Sequence, residues 1–91
     1  MSAPPLQIDG ADVIEWAWSP VGFGVVAVEG GEPLVIHGLA IARYRSERGV
    51  YRFACDREWQ CVQDADYASV AEAKERLPLQ YRREPAQWNA R

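Results

Sequence analysis

The sequence predicts a mainly β fold, a small and strongly bent five-stranded antiparallel barrel with a C-terminal α-helix at about residues 69–77. Three observations predict it. Short runs rich in β-branched and aromatic residues follow one another between residues 14 and 64. Residues typical of tight turns separate these runs. Beyond residue 68, the apolar residues recur at helical spacing instead of at every second position.

Five predicted strands make up the barrel: 14–18, 23–28, 34–45, 50–56 and 59–64. In the first, large apolar residues occupy alternate positions, as in a half-buried strand. Between the second and third, Gly30 and Gly31 accept positive φ and favour a tight hairpin. Gly38 interrupts the third strand and marks a bulge or a sharp bend.

A capping box marks the start of the C-terminal helix. Ser69 stands at the N-cap and Glu72 three residues later, so each side chain can bond the other's backbone N–H. Pro78 ends the helix, and Pro85 opens a last helical turn that brings Trp88 against the body. The apolar stripe expected to face the barrel is Val70, Ala73 and Leu77.

We expect one domain and a cytoplasmic location. The start of the chain lacks the cationic and apolar regions of a secretory signal, and the longest nearly apolar run, 34–42, is too short to span a bilayer. In that compartment, Cys55 and Cys61 stay free thiols. The expected division of the 91 residues is a loose tail at 1–5, the barrel at 12–64 and a helical C-terminal segment at 69–90.

Charge is distributed unevenly along the chain. The net charge of −3 argues against generic binding to nucleic acid. Residues 43–91 carry all ten Lys and Arg residues, whereas residues 1–42 carry acids alone. The sequence therefore predicts a charge dipole, whose acidic half holds Asp9, Asp12, Glu15, Glu29 and Glu32.

Arginine and aromatic residues alternate over residues 42–53. If residues 46–49 form the loop of a hairpin, Arg43 faces Arg52 across the pair. Nucleic-acid-binding sheets carry aromatic and cationic side chains on one exposed face, but this register separates them and so favours an amphipathic hairpin. The two predicted sets are Tyr44, Tyr51 and Phe53 facing the core, and Arg43, Arg45 and Arg52 facing solvent.

Two opposed arginines repel each other, so this surface favours an anionic partner. The partner is Glu47 or Glu58 of the same chain, the acidic half of a second subunit, or a phosphate. The predicted ligand-binding residues are Arg43, Arg45, Arg48, Gly49 and Arg52.

No catalytic, metal or cofactor motif is present in the sequence. His37, the single histidine, lies in an apolar strand without a Ser, Cys or carboxylate partner in the pattern, which favours a structural role. Cys55 and Cys61 read as small buried apolar residues. Asp64 and Asp66 lack the Gly and the distal Glu of a calcium loop, and an Asp at a strand exit favours a turn. We therefore expect a protein that is not an enzyme and holds no cofactor.

The bent strands, together with the Arg48–Gly49 step that enters the fourth strand, resemble the Sm-like family of small barrels over residues 12–64. SH3-like barrels have a similar architecture. The resemblance implies edge-strand assembly into oligomers and, in the Sm-like family, RNA binding. Only Arg48 and Gly49 match at the level of single residues, and here the helix ends the chain instead of beginning it.

These observations favour a small binding or assembly module of unknown ligand that forms a homo-oligomer through an edge strand and opposed charge. A first alternative is an RNA- or single-strand-binding module that uses the arginine cluster. A second is an acidic inhibitor of another protein, such as the immunity partner of a toxin, that uses the acidic half.

Overall fold

The computed structural model describes residues 3–91 and confirms the predicted fold class. The protein is mainly β, with a curled antiparallel half-barrel sheet and one short α-helix towards the C-terminus. Within residues 3–91, no helix is long and apolar enough to cross a membrane. The strands are β1 Gln7–Ile8, β2 Ala11–Trp18, β3 Gly24–Val26, β4 Leu34–Ile36, β5 Gly38–Arg43, β6 Val50–Cys55, β7 Cys61–Tyr67 and β8 Asn89–Ala90. The helical elements are α1 Val70–Glu75 and a 3-10 helix at Leu79–Tyr81.

The main sheet has the strand order β1-β2-β5-β6-β7, and β8 also pairs with β2. β3 and β4 pair with each other in a separate hairpin, so the predicted second strand lies outside the main sheet. β1 has no counterpart among the predicted strands. Asp9 and Gly10, with φ of 50° and 82°, form the two-residue turn that joins it to β2. Over the described residues β1 and β7 do not pair, so the sheet curls without closing.

The long predicted third strand divides at His37 into β4 and β5. Gly38 lies against the Trp59 ring, where a Cβ would stand 2.5 Å from a ring carbon. The interior glycine therefore marks a bend, as predicted, because the indole ring fills the space of a side chain.

The two faces of the main sheet bury different sets of residues. The aromatic face packs Trp16, Phe53 and Trp59 into one cluster, with Tyr44 and Tyr51 at its border. The opposite face, the helix face, packs against α1, the 3-10 helix and the β3–β4 hairpin. Its buried apolar side chains are Ala17, Leu39, Ile41, Val50 and Ala54.

The C-terminal helix forms where predicted. Ser69 Oγ accepts a hydrogen bond from the Glu72 backbone N–H at 3.1 Å, and Ala73 and Leu77 are buried against the sheet. The predicted helical turn after Pro85 is wrong, because the edge of β2 offers backbone partners and residues 89–90 extend along it as β8. Trp88 packs against the body, as predicted.

Residues 3–5 of the predicted loose tail have defined contacts, and the first two residues of that tail lie outside the described residues. Pro4 is buried. The carbonyl oxygens of Pro4 and Pro5 each accept a hydrogen bond of 2.7 Å from the Arg91 guanidinium. Hydrogen bonds therefore join the two ends of the described chain.

Candidate binding surface

The β5–β6 hairpin keeps the predicted faces but not the predicted pairing. Ala42 pairs with Tyr51 and Ile41 with Arg52, a shift of two residues from the predicted register. Because the shift is even, every side chain stays on its predicted face. Arg43 does not lie opposite Arg52, so the predicted repulsion between these two arginines is wrong.

Arg52 is buried, contrary to the prediction that it points into solvent. Its exposed fraction is 1%. The guanidinium carbon lies 5.0 Å from the centre of the Tyr81 ring. Alternation along the strand predicts the face correctly, but it cannot show that α1 and the 3-10 helix cover this part of it.

The remaining three predicted arginines lie on or beside the turn at residues 46–49 and are exposed, which was predicted for Arg43 and Arg45. We call Arg43, Arg45 and Arg48 the turn arginines. Arg45 Nε stands 3.8 Å from Asp12 Oδ2, an exposed pair of little energetic weight. Gly49 is required by the fold, since a Cβ there would stand 2.7 Å from the Tyr67 carbonyl oxygen. The structure thus brings three of the five predicted ligand-binding residues to one exposed region.

Beside the turn, two half-buried tyrosines form the border of the aromatic face. The rings of Tyr44 and Tyr51 meet edge to face with centroids 5.3 Å apart, and Tyr51 stacks on Phe53 at 6.2 Å. Both hydroxyls donate hydrogen bonds: Tyr51 to Glu47 Oε1 at 3.1 Å, and Tyr44 to the Asp9 backbone oxygen at 2.9 Å. These contacts place two acidic residues beside the rings.

Two further carboxylates lie on the same face. On β7, Asp64 is the register partner of Phe53 and Asp66 that of Tyr51. Side chains of direct partners in an antiparallel pair lie on one face of the sheet. All four acidic residues of this region are exposed. The acidic aromatic patch is defined as Tyr44, Tyr51, Asp9, Glu47, Asp64 and Asp66.

The negative charge of the patch affects the pKa of both tyrosines. Partial burial, followed by the charges of Asp9, Asp64 and Glu47, raises the pKa of Tyr44 above its usual value. For Tyr51, the hydrogen bond to Glu47 raises the pKa, and the charges of Glu47 and Asp66 add to it. Each carboxylate of the patch therefore acts on at least one of the two rings.

The other residues of the predicted acidic half are paired or lie in a different turn. Glu15 Oε1 lies 2.5 Å from Lys74 Nζ, and Asp12 lies beside Arg45. Glu29 and Glu32 lie in the turn between β3 and β4. Across residues 3–91, the four carboxylates of the acidic aromatic patch form no ion pair. Of the acidic half predicted from the sequence, only Asp9 belongs to the patch.

The surroundings of His37 favour a structural role. It is buried and stacks on Trp18 with centroids 5.7 Å apart. Its Nδ1 lies 2.9 Å from the Ser19 carbonyl oxygen and therefore carries the proton, which leaves Nε2 to accept from Arg57 Nη2 at 3.4 Å. The Ser19 hydroxyl accepts from the Gly22 N–H instead of contacting the imidazole. No serine–histidine pair forms here.

The two cysteines are free thiols, as predicted. Burial raises the pKa of Cys55, and it raises the pKa of Cys61 to about 11. At neutral pH both remain protonated and so are poor nucleophiles. Within residues 3–91, no group of three or more His, Cys, Asp or Glu side chains is arranged to hold a metal ion.

Asp64 and Asp66 were not predicted to belong to a binding surface. Asp64 and Asp66 were expected at a strand exit, but they lie inside β7, which runs to Tyr67. The signal that could have found them is the alternation of acidic residues with Ala65 and Tyr67, which has the period of a strand.

Comparison with known protein families, known proteins and solved structures found no match. The resemblance to Sm-like and SH3-like barrels stays a prediction.

Proposed function

We propose that the protein is a non-enzymatic binding module that holds a basic segment of a partner protein on the acidic aromatic patch. The observation that carries the proposal is four unpaired carboxylates around two half-buried tyrosine rings. A Lys or Arg side chain is attracted both by the face of a tyrosine and by carboxylates. Tyrosine is also enriched at protein interfaces.

The side chains that a hydrolase would use are engaged elsewhere, which supports a binding role. The Ser19 hydroxyl bonds backbone, His37 is stacked and hydrogen-bonded on both nitrogens, and the thiols of Cys55 and Cys61 have raised pKa values. Nucleophilic catalysis needs a nucleophile activated by a neighbouring base.

A second candidate function is self-association. The turn arginines and the patch lie at the same end of the β5–β6 hairpin, since Glu47 of the patch is in the turn itself. In a two-fold dimer, the turn arginines of each copy would meet the acidic aromatic patch of the other. The observation that favours this candidate is that one chain exposes both a cationic surface, the turn arginines, and an anionic one, the acidic aromatic patch.

RNA binding has less support. Arg52 is buried, so a nucleic acid cannot reach it. The tyrosines available for stacking are surrounded by carboxylates, which repel phosphates. Co-purification of nucleic acid held by Arg43, Arg45 and Arg48 would still favour it.

The test is the binding of a capped hexa-arginine peptide, measured by isothermal titration calorimetry. We expect the double variant Asp64→Asn with Asp66→Asn to bind about tenfold more weakly, since two charge contacts are lost. The matched control, Glu29→Gln with Glu32→Gln, removes the same charge from the β3–β4 turn and should bind like the wild type. If both variants lost the same affinity for the peptide, the net charge of the protein alone would explain the loss, and the proposal would be overturned.

Two charge-reversal variants distinguish self-association from the binding of a different partner. One variant carries Arg45→Glu and Arg48→Glu, and the other carries Asp64→Arg and Asp66→Arg. If the dimer exists, each variant alone is a monomer by light scattering and the equimolar mixture recovers the dimer mass. A wild-type protein that is monomeric at low salt would exclude this candidate and leave the partner-binding proposal standing.

A further inference from the structure

β7 is an end strand of the main sheet. It pairs with β6 on one side, and in the described part of the chain no strand pairs with its other side. With seven residues it is about 23 Å long. An end strand of this length presents a row of backbone N–H and C=O groups that can pair with a further strand.

The two faces of β7 differ in chemistry. Asp64 and Asp66 lie on the aromatic face, in the acidic aromatic patch. Ala65 and Tyr67 lie on the helix face and are half-buried. A strand added to the outer edge of β7 would direct alternate side chains towards the two carboxylates and the intervening ones towards apolar surface.

A second copy of β7 is a poor occupant of this edge. Antiparallel pairing about Ala65 would place Asp64 opposite Asp66 twice, and like charges directly opposite each other destabilise a pair. The same two carboxylates favour a strand with cationic side chains at alternate positions. The charge of β7 therefore favours a basic strand from a different protein at this edge.

We propose that the basic segment of the partner binds as an added β-strand on the outer edge of β7. Arg or Lys at every second position faces Asp64 and Asp66, and apolar residues between them face Ala65 and Tyr67. This inference depends on the proposed function, which it extends by specifying the conformation and the residue pattern of the partner.

Two capped peptides of identical composition test the inference: one alternates Arg and Val, and the other has all its Arg before all its Val. We expect the alternating peptide to bind at least about tenfold more tightly, because only it can present every Arg to the carboxylates from an extended backbone. N-methylation of the amides on one edge of that peptide should abolish the gain, since it removes the backbone donors. Binding should also slow the hydrogen exchange of amides in residues 61–67.

The outcomes separate this inference from the proposed function. If both peptides bind equally and N-methylation has no effect, the patch binds cations but strand addition is overturned. If neither peptide binds, both the inference and the proposed function fail.

Discussion

The Arg52 guanidinium carbon lies 5.0 Å from the centre of the Tyr81 ring, in the interior between the sheet and the C-terminal segment. Tyr81 in turn donates a hydrogen bond to Gln63 Oε1. A desolvated cation–π contact contributes about 2 kcal/mol. Within residues 3–91, however, Arg52 Nε and Nη1 form no hydrogen bond. Burial of a charge costs several kcal/mol when its nitrogens lack hydrogen-bond partners, so we expect this arginine to lower the stability of the fold.

Replacement of Arg52 by methionine is therefore expected to raise the free energy of unfolding by about 1–3 kcal/mol. The apolar side chain fills similar space without a desolvated charge. Urea denaturation monitored by tryptophan fluorescence measures the change. Arg43→Met, on exposed surface, is the control and should change the value by less than about 0.5 kcal/mol. A loss of stability in Arg52→Met would show that the guanidinium has a favourable partner.

Gly38→Ala is expected to destabilise the protein by about 1–3 kcal/mol, because the new Cβ would stand 2.5 Å from the Trp59 ring. Gly31→Ala is the matched control, since the nearest atom to its Cβ is 3.9 Å away. Thermal unfolding of the two variants measures the contrast. Equal melting temperatures would contradict the packing of Trp59 over Gly38.

Ser69→Ala should cost about 1 kcal/mol, because the Glu72 N–H loses its acceptor at the start of α1. Ser69→Asp keeps an acceptor and should retain most of the stability. Chemical denaturation of both variants gives the comparison. A Ser69→Asp variant as unstable as Ser69→Ala would mean that the hydroxyl stabilises the helix in some way other than as a cap.

The folded protein should lose stability in alkaline solution. Burial raises the pKa of Cys61 to about 11, above the ordinary thiol value of 9.0. A raised pKa means that the unfolded chain releases this proton first, so the contribution is complete below about pH 9 and is lost as the pH rises through about 11. In Cys61→Ala the free energy of unfolding should decline less steeply over this range. Parallel declines in variant and wild type would contradict the raised pKa.

Local patterns predicted most of the fold. The N-cap at Ser69 and the bend at Gly38 follow from short-range chemistry, and both are present. The reciprocal half of the predicted capping box does not form in the described residues, where Glu72 Oε1 contacts Arg76. The Asp9–Gly10 dipeptide, a strong hairpin signal, accounts for β1, a strand that was not predicted. β8 could not be predicted, since two residues gain strand structure only because β2 offers them an edge 73 positions away in the chain.

The candidate surface was predicted only in part. Alternation assigns the faces of Tyr44, Tyr51 and Arg43 correctly, because side-chain direction in a strand is a local property. The burial of Arg52 depends on the distant segment around Tyr81, and the register depends on how the turn closes. Long-range packing of this kind leaves no trace in the spacing of residues along one strand.

The acidic aromatic patch is tested most directly by a solution NMR titration of the wild-type protein with hexa-arginine at physiological salt. The account predicts the largest shifts of amide resonances at Tyr44, Tyr51, Asp64 and Asp66, with little change at Glu29 and Glu32. Shifts spread evenly over all acidic residues, or largest in the β3–β4 turn, would contradict it.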